Sequence, residues 1–210
     1  MQAPIGTLYH ATGTCAQAVH IALLEAGVPF ELAWLDFETQ QQRQPDYLKL
    51  NPKGRVPALV TPRGLLTEVP ALLVYVAQAA PEAGLAPLDD AFELARLQSF
   101  TSYLASTVHV AHAHRRRGSR WADEPEAIAA MQRKVAQNMV DCFDYIEREW
   151  LAAGPWLLGE RYSVGDPYLF TVGGWLEGDG VDVSRFPRLL SHRERMLARP
   201  AVQAALAARP

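Results

Sequence analysis

The chain has 210 residues, 49% of them apolar and 20% charged, with a formal charge of −3. That length buries a core without metals or disulfides, and the mildly acidic balance speaks against nucleic-acid binding, which needs a concentrated basic face. The two cysteines, Cys15 and Cys142, lie far apart, so no disulfide framework is expected and a reducing compartment is the default. No apolar run reaches the roughly 18–20 residues of a membrane span, and the start MQAPIGTLYHATGT lacks a basic-then-apolar secretory signal. A cytoplasmic protein without membrane or nucleic-acid partners is expected.

The first eighty residues alternate strand-like and helix-like segments. Gly6–His10 is a short apolar stretch, followed by a small-residue turn over Ala11–Thr14. Ala16–Ala26 has helical spacing at Val19, Ala22, Leu23 and Ala26, with Gly27 where a left-handed C-terminal cap belongs. Phe30–Phe37 alternates apolar and polar residues as a strand does. Val56–Val60 and Gly64–Thr67 read as two strands around a turn, and Pro70 opens a helix that Pro81 stops. The order β-α-β-(α)-β-β-α predicts one open α/β layer over residues 1–82. A Gly- and Pro-rich linker follows at 83–90, and an all-helical domain over 91–210. In that domain Ala91–His114 and Pro125–Trp150 each read as one long helix. The second carries a core stripe at Ile128, Met131, Val135, Met139, Cys142, Phe143, Ile146 and Trp150. Ser163-Val-Gly-Asp166 is an N-terminal capping pattern ahead of an apolar helix, and Phe186–Arg199 and Ala201–Ala208 complete a helical tail.

Four groups of residues could carry chemistry. Cys15 precedes a helix, where free N–H groups and the helix dipole favour a thiolate; a small buried apolar residue is the plainer reading. Position 18 is Ala, so no Cys-x-x-Cys dithiol is present. Val56-Pro57 enters a strand through an X–Pro bond that is either cis, presenting the Val56 backbone to an extended ligand, or a plain edge proline. Glu68-Val69-Pro70 sets a carboxylate beside a helix N-terminus, which suits a ligand with both ends of an amino acid or is only a capped helix. His109, His112 and His114 are close in sequence without a nearby carboxylate or thiol, so no metal is expected. The arginines at 115–117 and 120 read as a solvated helix end, and Trp121, Trp150, Trp156 and Trp175 as packing anchors.

The order of these signals is more specific than any one of them. Cys15, the block Asn51-Pro-Lys-Gly-Arg-Val-Pro-Ala-Leu59, Leu66-Thr-Glu68 and Gly159-Glu-Arg-Tyr-Ser-Val-Gly-Asp166 resemble the cytosolic glutathione transferases over essentially the whole chain, and most of all the bacterial beta class, which has a cysteine at the start of its first helix. The resemblance implies a thioredoxin-like α/β domain that binds glutathione, an all-α bundle that supplies the second-substrate pocket, and a homodimer. It implies catalytic roles for Cys15 and His109 at the glutathione sulfur, and glutathione contacts from Arg55, Val56, cis-Pro57, Glu68 and Val69. Ser163 and Asp166 match the family's structural cap. The second substrate, a small hydrophobic electrophile or a disulfide, would meet a cleft lined by Tyr9, Ala11, Thr12, His112, Trp121 and Trp175, an aromatic, imidazole-rich lining that suits an apolar aromatic ligand. No metal is implied.

Several positions depart from the family pattern. Val69 stands where Ser or Gly is usual, Val110 where Lys is common, and Ser102 where an Asn often reaches the neighbouring subunit. The residue after Cys15 is Ala, and the loop from Tyr9 to Cys15 is one residue longer than usual. Each lost polar contact costs about 1–3 kcal/mol. Two readings follow: an enzyme that conjugates glutathione to electrophiles or runs glutathione-dependent thiol-disulfide or peroxide chemistry through Cys15, and a non-catalytic transferase-fold binding protein with weak or no glutathione affinity.

Overall fold

Short apolar segments become strands because one face of each is covered. β1 (Thr7–His10), β2 (Glu31–Trp34), β3 (Ala58–Thr61) and β4 (Gly64–Thr67) form one sheet in the order β2-β1-β3-β4 in this computed structural model, which describes residues 4–209. β1 runs parallel to β2, with Leu8 opposite Leu32, and antiparallel to β3, with Leu8 opposite Leu59; β3 and β4 pair antiparallel. The parallel pair needs a crossover, and α1 (Ala16–Ala26) supplies it. Gly27 closes α1 at φ 65, donating its N–H to the Leu24 carbonyl. α2 (Pro45–Leu50) precedes β3, and α3 (Val69–Ala79) follows β4. The predicted thioredoxin-like layer is present; β1 and β2 are shorter than the segments read, β3 starts later and ends at Thr61, and β4 spans the residues read.

The chain divides into two compact units, Met1–Arg96 with Leu197–Pro210, and Leu97–Met196. Sequence patterning assigns the helical tail to the C-terminal domain, whereas here α9 (Pro200–Ala207) lies on α1 within the first unit. Its Val202 and Ala205 are buried, and the Arg199 guanidinium grips the Glu25 carboxylate through two bonds of 2.6 and 2.8 Å. With α3 and α9 both packed on it, α1 buries seven of its residues, His20 among them.

His20 faces His10 at the end of β1, with ring centroids 5.5 Å apart; Trp34 covers His10 and Phe30 covers His20. Burial, then repulsion from His20, lowers the His10 pKa from 6.5 to about 4, and burial lowers that of His20. Both rings are therefore neutral in the folded state at pH 7.

The second unit is helical. α4 (Ala91–Tyr103), which belongs to this unit from Leu97 on, and α5 (His109–Arg117) flank a wide π-type turn at Leu104–Val108, and α6 (Pro125–Tyr145) ends in another at Ile146–Trp150. α7 (Gly165–Gly173) and α8 (Pro187–Leu197) follow. The two long helices read from periodicity are thus interrupted. The second wide turn buries both Ile146 and Glu147. Glu147 uses this to cap α8, accepting from the Arg188 and Leu189 N–H groups at 2.7 and 3.0 Å.

Asp166, fully buried, is the polar centre of this unit. Its carboxylate accepts from the Ser163 N–H (2.8 Å), the Ser163 hydroxyl (3.2 Å), the Leu157 N–H (2.9 Å) and His192 Nε2 (3.0 Å). The Ser163 hydroxyl in turn accepts from the Gly165 N–H at 3.3 Å, so each residue of the pair satisfies a donor of the other's segment.

Two outcomes are expected. The folded-state pKa of His10 lies below its unfolded value, so the stability it contributes is present above pH 6.5 and lost as pH falls toward 4. Urea unfolding should show about 2 kcal/mol lost between pH 7.5 and pH 5 through this group, and His10→Phe should flatten that dependence. Asp166→Ala strands four donors and should cost about 3–5 kcal/mol in the same assay.

Candidate functional site

In the first unit the chemistry gathers where β1, α1 and the segment before β3 meet. After β1 the chain turns tightly, the Thr14 hydroxyl donating to the Ala11 carbonyl at 2.7 Å, and delivers Cys15 to the N-terminus of α1. The Cys15 thiol is 7% exposed and donates to the Val56 carbonyl at an Sγ···O distance of 3.7 Å. The Val56–Pro57 bond is cis.

The segment that carries Val56 is held from beneath. Tyr47 Oη and Asn51 Nδ2 both donate to the Arg55 carbonyl, at 2.6 and 2.8 Å, while Asn51 Oδ1 accepts from the Lys53 N–H at 3.2 Å. Burial pushes the Tyr47 hydroxyl pKa up, which keeps it a donor. Gly54 sits at φ 58, and a Cβ there would come within 2.9 Å of the Gln42 carbonyl oxygen and Arg43 Nη1, so the bend requires glycine. Ala11, Ala16, Tyr47, Val56 and Ala58 form the small apolar cluster under this bend, with Tyr9 against its edge.

This geometry sorts the expected residues of the first unit. Cys15, Val56, Pro57, Tyr9 and Ala11 come together; Ala11, at 1% exposure, faces the core. Thr12 is exposed in the turn. The Arg55 side chain is exposed, and what the fold fixes is its carbonyl. Glu68 stands at the N-terminus of α3 with φ 71 and ψ 120, a conformation that costs an L-residue about 1–3 kcal/mol and recurs where backbones serve ligands. Its carboxylate meets Lys53 Nζ at 2.5 Å, and Lys53 Nζ also donates to Thr67 Oγ1 at 2.9 Å. Val69 is buried in the core.

In the second unit, His109 opens α5 and His112 lies one turn on, both against Trp175. The Trp175 ring is 5.0 Å from that of His109 and stacks on that of His112 at 4.3 Å and 23°. Asp179, whose side chain is wholly buried, receives His112 Nδ1 at 2.7 Å and Arg115 Nη1 at 3.4 Å. A carboxylate only accepts, so His112 carries its proton on Nδ1 and keeps Nε2 as an acceptor when neutral. Trp121 instead packs edge-on against His114 and is half exposed. Sequence reasoning missed Asp179 and Lys53. Asp179 had no signal beyond an acid between two glycines, and Lys53 lay inside a motif read for its neighbours.

Among the described residues no group of three or more His, Cys, Asp or Glu side chains is arranged to hold a metal ion, and no helix is long and apolar enough to cross a membrane.

Comparison with known proteins covers both units. A family model described as the N-terminal domain of glutathione S-transferase matches residues 4–78, and one described as its C-terminal domain matches residues 109–195. Glutathione S-transferase GST-4.5 of Xanthomonas campestris pv. campestris is 32% identical over 201 residues, 96% of this chain and 97% of that protein. A glutathione transferase homologue from Sulfitobacter, solved with bound glutathione, is 47% identical with a TM-score of 0.93, over 97% of this chain and 98% of that one. A beta-class glutathione S-transferase from Sphingomonas chungbukensis is 35% identical with a TM-score of 0.82, over 95% and 96% of the two chains.

Asp179→Ala removes the partner of both His112 and Arg115 and should lower the unfolding free energy by about 1–3 kcal/mol. Arg115→Ala, at a side chain 38% exposed, should cost less than about 1 kcal/mol in the same urea titration.

Proposed function

The chain belongs to the glutathione S-transferase family, and on that premise we propose that it is an enzyme in which Cys15 handles the sulfur of glutathione. The observation that carries this reading is the 3.7 Å approach of the Cys15 thiol to the Val56 carbonyl. A cysteinyl backbone laid along Val56 offers an N–H to that same carbonyl. Glutathione would then displace the thiol from its acceptor and leave it facing the ligand sulfur, at a helix N-terminus that favours negative charge.

Glu68 takes the ammonium of the γ-glutamyl end in this reading, the Val69 N–H takes its carboxylate, and Arg55 stands at the rim. In conjugation the glutathione thiolate attacks an electrophilic carbon and the leaving group departs with the electron pair. In the redox version the Cys15 thiolate attacks a glutathione disulfide, forming a mixed disulfide and releasing glutathione thiolate. The face built by His109, His112 and Trp175 suits an aromatic second substrate, with ring stacking for affinity and His112 Nε2 as an acceptor. His109, the catalytic partner that the resemblance implies, lies on this face.

The finer assignments are inferences of the same kind. Cys15 and the likeness to a beta-class enzyme support membership of that class. Phe92, 72% exposed, supports a homodimer that covers it. A cytoplasmic role in the detoxification of electrophiles fits the chemistry.

Calorimetric titration of the reduced protein with glutathione and with its disulfide tests the reading. Saturable binding of glutathione is expected. Cys15→Ala should abolish disulfide reduction and lower conjugation only moderately. Equal activity of the variant in both assays would remove Cys15 from the mechanism. No binding at millimolar ligand would leave a transferase fold that serves as a binding module for something else.

A further inference from the structure

We propose that Lys53 is a specificity-determining residue of the glutathione subsite, neutralising Glu68 in the free protein and taking the α-carboxylate of the γ-glutamyl end in the complex. The proposal rests on the glutathione reading above and assigns a residue to which that reading gives no role.

The argument begins with a shortage of donors. The first turn of α3 offers the N–H groups of Val69 and Ala71, while Pro70 between them has none. The Val69 side chain brings no hydroxyl and is turned into the core at 4% exposure. The γ-glutamyl end of glutathione carries an ammonium and a carboxylate on one carbon. Glu68 by itself attracts the first and repels the second. A site made only of Glu68 and two N–H groups would therefore be poorly matched to a zwitterion.

Lys53 corrects the match. Its ammonium lies 2.5 Å from Glu68 Oε1, so the two side chains present one positive and one negative charge together. The lysine is anchored at both ends, its N–H donating to Asn51 Oδ1 and its Nζ to Thr67 Oγ1. Its side chain is 49% exposed, on a flexible four-carbon stem. It can leave Glu68 for a ligand carboxylate while keeping Thr67. When the ligand ammonium arrives, Glu68 exchanges one cation for another, and the released Lys53 pairs with the ligand carboxylate. No charge is left unpaired at any stage.

The test is titration calorimetry of the full-length protein and of Lys53→Met, which keeps the stem and removes the charge, with Lys53→Arg as the conservative variant. The ligands are glutathione and γ-aminobutyryl-cysteinyl-glycine, the same tripeptide without its α-carboxylate. Lys53→Met should weaken glutathione binding about tenfold and leave the affinity for the analogue, however weak, equal to or tighter than wild type, since its ammonium no longer displaces a lysine; Lys53→Arg should hold glutathione within about threefold of wild type. Unchanged or tighter glutathione binding by Lys53→Met would overturn the proposal, since Lys53 would then be a bystander or a competitor of the ligand ammonium. An equal loss for both ligands would overturn it too, showing a role in loop shape alone. Absence of glutathione binding by the wild-type protein would overturn the glutathione reading itself, and this proposal with it.

Discussion

The Arg55 carbonyl accepts hydrogen bonds from two side chains at once, the Tyr47 hydroxyl and the Asn51 amide, and the candidate site of the first unit depends on that grip. Asn51 is 1% exposed, so its amide has no water to fall back on and must be satisfied by the bend it holds. With Arg55 fixed, Val56 sits over the apolar cluster with its carbonyl within reach of Cys15, and Lys53 stands two residues before Arg55, across from Glu68. Loosening that carbonyl would disturb the positions of Val56 and Lys53 together, and with them the contact that Val56 makes to Cys15.

The helical unit solves a different problem. Three carboxylates, Glu147, Asp166 and Asp179, are buried there, and each is made tolerable by donors that the fold delivers. Glu147 binds two N–H groups at the start of α8, where the helix dipole favours an anion. Asp166 has four donors, and Asp179 has an imidazole and a guanidinium. Each joins segments distant in sequence, so the acids act as latches between helices. The first unit buries the opposite kind of group. His10 and His20 are kept neutral by burial, and that makes the packing around them sensitive to acid.

Elements whose signals are local could be read from the chain. α1 was legible to its last residue, because its spacing, the Cys15 start and the Gly27 stop all lie within it. The Ser163–Asp166 cap was legible for the same reason. The breaks at Leu104–Val108 and Ile146–Trp150 were not, since no proline or glycine marks them and periodicity carries smoothly through. The partner of the tail was not legible either, because its apolar residues say only that they need one; that the partner is α1 is decided by packing.

By itself, then, the sequence determined the thioredoxin-like layer, the helical character of the rest, the family, and the candidates Cys15, Val56, Pro57 and Glu68, all written in motifs a few residues long. Only the tertiary structure decided which charges meet: Lys53 with Glu68, His112 and Arg115 with Asp179, Glu147 with the start of α8, His192 with Asp166. The physical reason is range. Hydrogen bonding along a helix and alternation along a strand act between neighbours in the chain, so residue order encodes them directly. A side-chain pair fifteen to sixty-seven residues apart exists only once packing has closed the chain around it, and nothing in the local order announces it.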